Sequence, residues 1–269
     1  MRLRLPVTGL VIAALLGLGT APAEAAPVWK LKFSDSFNVA VPRGGFADCA
    51  HSVDTPRAYC GRLPAQVRAS WWAYPAGWPD TATQRGYLVG GYYDPATTLS
   101  ISDGRLHIRM WRGATGSVHS AAVVPKAMMN QRYGRYEERF RVSKVAVGYK
   151  SAHLLWPVAN DGCSEIDFPE LEWTETINAF THPSNCGPQD AFDTGARWTD
   201  WHTSVIEWTP GHVRYYLDGR LVGHSTRGVP DRPMSWIIQN EAALNGDRAA
   251  PNSWAQMDIA WVRGWTRTN

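Results

Sequence analysis

Apolar and polar side chains alternate with a period of two along most of this chain. That period is the signature of half-buried strands. It predicts strands over Thr98–Ser102, Arg105–Trp111, Arg135–Val142, Ala152–Trp156 and Thr176–Thr181. It predicts five more over His202–Trp208, Val213–Leu217, Leu221–His224, Trp236–Asn240 and Met257–Trp265. No window of about twelve residues carries apolar positions at i, i+3, i+4 and i+7, so long helices are not expected. Asp103-Gly104 and Asp218-Gly219 fall between alternating runs and read as hairpin turns. Many short strands punctuated by turns predict an all-β fold, a jelly-roll β-sandwich.

Residues 43–86 break the alternation. They hold Trp71, Trp72 and Trp78, two cysteines and many Pro, Gly and Ala. The expectation is one long loop at a rim of the sandwich, with Trp71 and Trp72 opening a strand. The first 25 residues differ again. Arg2 and Arg4 precede a short apolar run, Leu10 to Leu18, and Ala23-Glu24-Ala25 forms an A-x-A cleavage site. This pattern reads as a secretory signal peptide, with an uncleaved membrane anchor as the alternative. Cleavage leaves residues 26–269 as a single domain, secreted and free of the membrane.

Composition narrows the function. A chain of 269 residues that is 44% hydrophobic and 19% charged is not disordered. A net charge of +3 without a Lys/Arg cluster argues against a nucleic-acid partner. Four cysteines, Cys49, Cys60, Cys163 and Cys186, suggest two disulfides in an oxidising compartment. Three pairings are open; the sequential one closes the shortest loops. No Cys-x-x-Cys is present, which disfavours zinc.

The chemistry concentrates in Glu165-Ile166-Asp167-Phe168-Pro169-Glu170. On a strand, Glu165 and Asp167 share one face and Ile166 and Phe168 the other. Strict alternation would place Glu170 with Ile166. A β-bulge adds one residue and re-aims the side chains beyond it, and Pro169 is tolerated at bulges. The expectation is a slip at Pro169 that returns Glu170 to the face of Glu165 and Asp167. Three such carboxylates suit glycosidic bond cleavage, which needs a carboxylate and a carboxylic acid flanking the bond. A solvated acidic strand or a calcium site is the structural alternative.

The segment resembles the active-site strand of glycoside hydrolase family 16, whose bulged members carry Glu-x-Asp-x-x-Glu. Further pieces come in the family's order. Tyr133-Gly134-Arg135-Tyr136-Glu137-Glu138-Arg139 is similar to its Gly-x-Tyr-Glu-x-Arg strand, and Leu155-Trp156-Pro157 to its Leu-Trp-Pro run. His202-Thr203, Ile206 to Pro210 and Tyr216 to Gly219 resemble its downstream hairpin. Asp258 to Arg263 resembles its closing strand. The resemblance covers roughly residues 85–265.

It implies a concanavalin A-like jelly roll with a concave cleft and a retaining mechanism on a polysaccharide, β-1,3- or mixed β-1,3-1,4-glucan. Glu165 would be nucleophile, Glu170 general acid/base, and Asp167 would hydrogen-bond Glu165. Trp156, His182, Gln239, Arg139 and Trp173 are the substrate-binding expectations, with Trp72 and Trp78 at the rim. No cofactor is expected for catalysis. A structural Ca²⁺ would take the Gly104 carbonyl and the Asp258 carboxylate. A monomer is expected. A lectin-like binding module and a transglycosylase are the alternative functions.

Overall fold

In a computed structural model describing residues 27–49 and 59–268, the alternating pattern becomes strands. The expected signal peptide, residues 1–25, lies outside the described residues. The first eight strands are β1 Val28–Asp35, β2 Trp71–Ala73, β3 Gly91–Tyr93, β4 Leu99–Ser102, β5 Arg105–Arg112, β6 Val118–Pro125, β7 Gly134–Lys144 and β8 Tyr149–Pro157. The other eight are β9 Glu165–Glu172, β10 Thr176–His182, β11 Asp190–Arg197, β12 His202–Thr209, β13 His212–Leu217, β14 Arg220–Ser225, β15 Met234–Ala242 and β16 Trp254–Thr268. Each of the ten alternating runs is a strand. Alternation does not predict β1, β3, β6 and β11. Among the described residues, helix is confined to short segments, the longest being Ala65–Ser70.

The strands form a jelly-roll β-sandwich. One sheet runs β11-β10-β9-β8-β15-β6, and the other runs β5-β16-β7-β12-β13-β14. Strand β6 belongs to both. Its first residues pair with β3 and β5, and its later residues with β15 and β2. At the opposite end of the order, Gly223 on β14 lies against Phe192 on β11. A Cβ on Gly223 would come within 2.5 Å of that ring, so only glycine permits the approach.

Between the sheets, alternate residues interdigitate. Ile166 and Phe168 on β9, Ala179 on β10, Leu155 on β8 and Tyr215 on β13 are all buried there. Phe168 packs edge-on to Tyr215, ring centroids 5.6 Å apart. Five of the 14 tryptophans (Trp71, Trp173, Trp198, Trp208 and Trp236) are in this core. Polar contacts also cross it. His153 Nδ1 on β8 lies 2.6 Å from Glu138 Oε1 on β7, both side chains sealed from water.

Where described, segment 43–86 has more structure than a loop. The Cys49–Cys60 disulfide closes its first part. The helix Ala65–Ser70 leads into β2, which pairs with β6, so Trp71 and Trp72 do sit on a strand. Trp71 lies between Phe33 and Phe37 and donates to Asp35 Oδ2 at 2.7 Å. Buried Asp80 then anchors the end of the segment. Its carboxylate accepts from Thr83 N, Gly91 N, Ser120 Oγ and Ala242 N. Four donors satisfy an ionised carboxylate and offset the cost of burying it. The tie fixes the segment against β6 and β15.

Phe168 gives the core its test. Phe168→Ala should lower stability by about 3–5 kcal/mol, read as a lower urea midpoint at an unchanged denaturant slope.

Candidate active site

The site begins with a register slip. Against β10, Asn178 pairs with Glu170 and Phe180 with Asp167. Two residues on β10 thus span three on β9. Against β8 the same happens, with Ala152 opposite Glu170 and Leu154 opposite Asp167. The extra residue therefore belongs to β9 and is absorbed against both neighbours, the signature of a bulge. Pro169 lies within it, and a missing backbone N–H is harmless there. Leu171 comes next but one with φ of 123°, a region rarely open to side-chain-bearing residues, so the slip holds local strain.

The slip brings Glu170 to the concave face. Glu165 and Glu170 line a pocket of about 360 Å³ with Lys150, His182, Gln239 and Glu241. Asp167 lies beneath Glu165, its side chain 1% exposed against 25% for Glu165. His182 faces Glu165 in register across β9 and β10. Its Nε2 lies 3.4 Å from Asp167 Oδ2 and 3.9 Å from Glu165 Oε2. The Cys163–Cys186 disulfide closes the loop around these two strands. Both bonds thus conform to the sequential pairing.

Burial sets the electrostatics. Desolvation first, and the Asp167 charge second, push Glu165 up to about 9, while His182 opposes them. Burial and then the Glu170 charge raise Asp167 well above the carboxylate range. Glu165 and Asp167 therefore keep protons between them through neutral pH. Glu170 is held differently, by Lys150 Nζ at 2.9 Å. Lys150 stands opposite Glu172 on β9 and Glu241 on β15. Burial works against its charge, but Glu170, Glu241 and Glu172 outweigh burial and raise its pKa. One ammonium thus compensates three carboxylates.

The walls are built from both ends of the chain. Thr81 and Arg85, from the segment that Asp80 anchors, line one side. Glu241 Oε2 accepts from Thr81 N at 2.9 Å, and Glu172 Oε1 accepts from Leu244 N and Asn245 N. Beside the carboxylates, Ala122, Val124, Ala152, Leu154 and Ile237 make an apolar floor, with Trp72, Tyr74, Trp78 and Trp156 packed on it. Flat rings of this kind suit the C–H faces of sugars.

The structure thus brings together Glu165, Asp167, Glu170, His182 and Gln239, and places Trp156, Trp72 and Trp78 along the same face. It places two expected residues elsewhere. Trp173 is 2% exposed in the core, stacked with Tyr149 and donating to Ser151 Oγ. Arg139 points out of β7 on the far face of the other sheet, beside Thr203 and Trp201. Its place results from alternation, since Glu138 and Phe140 on either side face the core. The calcium expectation does not fit either. Asp258 Oδ1 lies 2.8 Å from both His107 Nδ1 and Gln256 Nε2, and Arg141 Nε is 3.6 Å from Oδ2. A carboxylate surrounded by N–H donors is not arranged for a cation.

Sequence reasoning misses Lys150, although a signal exists. It is a lone charge on a buried strand, in step with Ala152, Leu154 and Trp156.

The raised Glu165 pKa makes a stability prediction. The native state binds this proton more tightly than the unfolded chain does. Stability is therefore full below the ordinary value of 4.5 and falls as pH rises toward about 9. Glu165→Gln removes that loss and should raise stability by about 2 kcal/mol near pH 8, allowing for the solvent reaching Glu165. The gain should vanish near pH 4, as thermal melts across pH would show. Lys150→Met should do the opposite, costing about 3–5 kcal/mol by leaving the buried Glu172 and Glu241, and Glu170 beside them, without their cation.

Comparison with known proteins agrees with this geometry. Residues 95–263 match Glycosyl hydrolases family 16. A beta-glucanase of Acetivibrio thermocellus is 27% identical over 164 residues, 58% of this chain and 48% of that one. The chain thus spans about half the length of this relative. The laminarinase of Rhodothermus marinus shares the fold at a TM-score of 0.65 and 22% identity, over 90% of this chain and 99% of that one. The endo-beta-1,3-glucanase of Pyrococcus furiosus does so at 0.64 and 18%, over 90% and 95%. With its bulged strand of three carboxylates and a family match over most of its length, the chain belongs to glycosyl hydrolase family 16.

Proposed function

We propose that the protein is an exported, retaining endo-β-glycosidase that hydrolyses β-1,3- or mixed β-1,3-1,4-glucan. The observation that carries this reading is the bulge that sets Glu170 on the face of Glu165 in an open pocket. Family membership and the beta-glucanase and laminarinase relatives support the substrate class. Two disulfides support export.

The reaction divides between the carboxylates. Glu165, the more exposed of the buried pair, attacks the anomeric carbon through a carboxylate oxygen as the glycosidic C–O bond breaks. Glu170 gives its proton to the departing sugar oxygen. Water then loses a proton to Glu170, and its oxygen displaces Glu165 from the anomeric carbon. Before substrate arrives, protons are held on the Glu165–Asp167 side, and Glu170 faces Lys150. The reaction needs Glu165 ionised and the proton on Glu170. Asp167, fully buried, shares a hydrogen bond with Glu165 and holds its orientation.

The test is reducing-end release from laminarin and lichenan, with the first product's anomer read by NMR. The expected result is a β product and a loss of at least about 1,000-fold in Glu165→Gln. An α product would overturn retention. No release from either polymer, with binding equal in both proteins, would make the fold a binding module.

A further inference from the structure

The outer face of the second sheet, opposite the cleft, holds Trp111, Trp201, Trp254, Trp261 and Trp265 among cations. Strand β5 presents Arg105 and Arg109, and β7 presents Arg135, Arg139, Arg141 and Lys144. Arg135 meets Glu137 and Glu207, and Arg141 meets Asp258. Among the described residues, the other four have no carboxylate partner. They stack on indoles instead. Arg105 and Arg139 each lie 5.6 Å from the Trp201 ring, and Arg109 and Lys144 each 4.0 Å from Trp254. Even without Arg263 on β16, six cations face three acids. That surplus equals the chain's whole formal charge of +3.

The cations converge at one place. Arg43, Arg109, Trp111, Arg112 and Trp254 line a pocket of about 370 Å³. Burial, and then the like charge of Arg43, lower the Arg109 pKa, so the guanidinium is short of a counter-charge. A folded protein has little reason to hold unpaired cations against each other beside flat rings. An anionic sugar resolves both features, because its acid group pairs with guanidinium and ammonium while its ring face stacks on indole.

We propose that this outer face is a second glycan-binding surface for an acidic polysaccharide, with acid groups on Arg43, Arg109 and Lys144 and sugar rings packed beside Trp254 and Trp111. The acidic chain tethers the enzyme and leaves the cleft open. A nucleic acid fits less well, because the cations form a patch around tryptophans and not a continuous track along a groove.

Affinity electrophoresis in gels containing polygalacturonate tests this, with neutral dextran as control and a duplex DNA mobility shift alongside. Retardation by polygalacturonate and not by dextran is expected. Arg109→Gln/Lys144→Gln should weaken it about tenfold, with laminarin turnover and melting temperature unchanged. Arg43→Gln, at an exposed position outside the sheets, repeats the test without touching the fold and should weaken it several-fold. Absence of retardation, equal retardation of both variants, or tighter binding to duplex DNA than to polygalacturonate would each overturn the proposal. The readout is binding, so it stands apart from the outcome for hydrolysis.

Discussion

One extra residue in β9, taken up against both of its neighbours, is the constraint on which the site depends. A strand with strict alternation can show only every second side chain to one face. Glu165 and Glu170 are an odd number of positions apart, so a regular strand would bury one of them. The slip reconciles the two demands. Before it, Ile166 and Phe168 enter the core and anchor the strand; after it, Glu170 faces the cleft. A bulge in the middle of a sheet costs ladder hydrogen bonds on both sides. The Phe168 contact with Tyr215 and the disulfide-closed loop around β9 and β10 help to hold it.

The carboxylates so gathered must then be kept from destabilising the fold. Two devices share the task. Burial raises the pKa of both Glu165 and Asp167, helped by the Asp167 charge at the first and the Glu170 charge at the second, and Lys150 pairs with Glu170 from its place opposite Glu172 and Glu241. Both devices place a raised carboxyl pKa and a paired cation beside Glu170 at the floor of the pocket. The arrangement gives up stability to gather these groups on one face.

Much of this is legible from residue order. Alternation locates ten strands, and the pairing of Pro169 with an out-of-phase Glu170 locates the slip. The features that escape do so for physical reasons. Strand β6 is buried on both faces along most of its length and so shows no alternation. Strand β11 is half exposed along its length and poor in β-branched residues. Trp173 reads as a sugar platform because sequence does not say which side of a strand end faces the core. Arg139 carries the family pattern, and its motif is a sheet-building one on the far side of the molecule. Lys150 is hidden because its three partners lie on two other strands, one of them 91 residues away in the sequence.

Asp80 has a consequence beyond fixing a segment. Four donors from β6, β15 and its own loop converge on its carboxylate, and Thr81, the next residue, lines the pocket. The cleft wall is therefore ordered when the chain folds, not when a polymer arrives. Entropy that a mobile wall would surrender on each encounter has already been surrendered once. Binding can then be quick and shallow at many places along a long chain, which suits the endo-acting hydrolase proposed above.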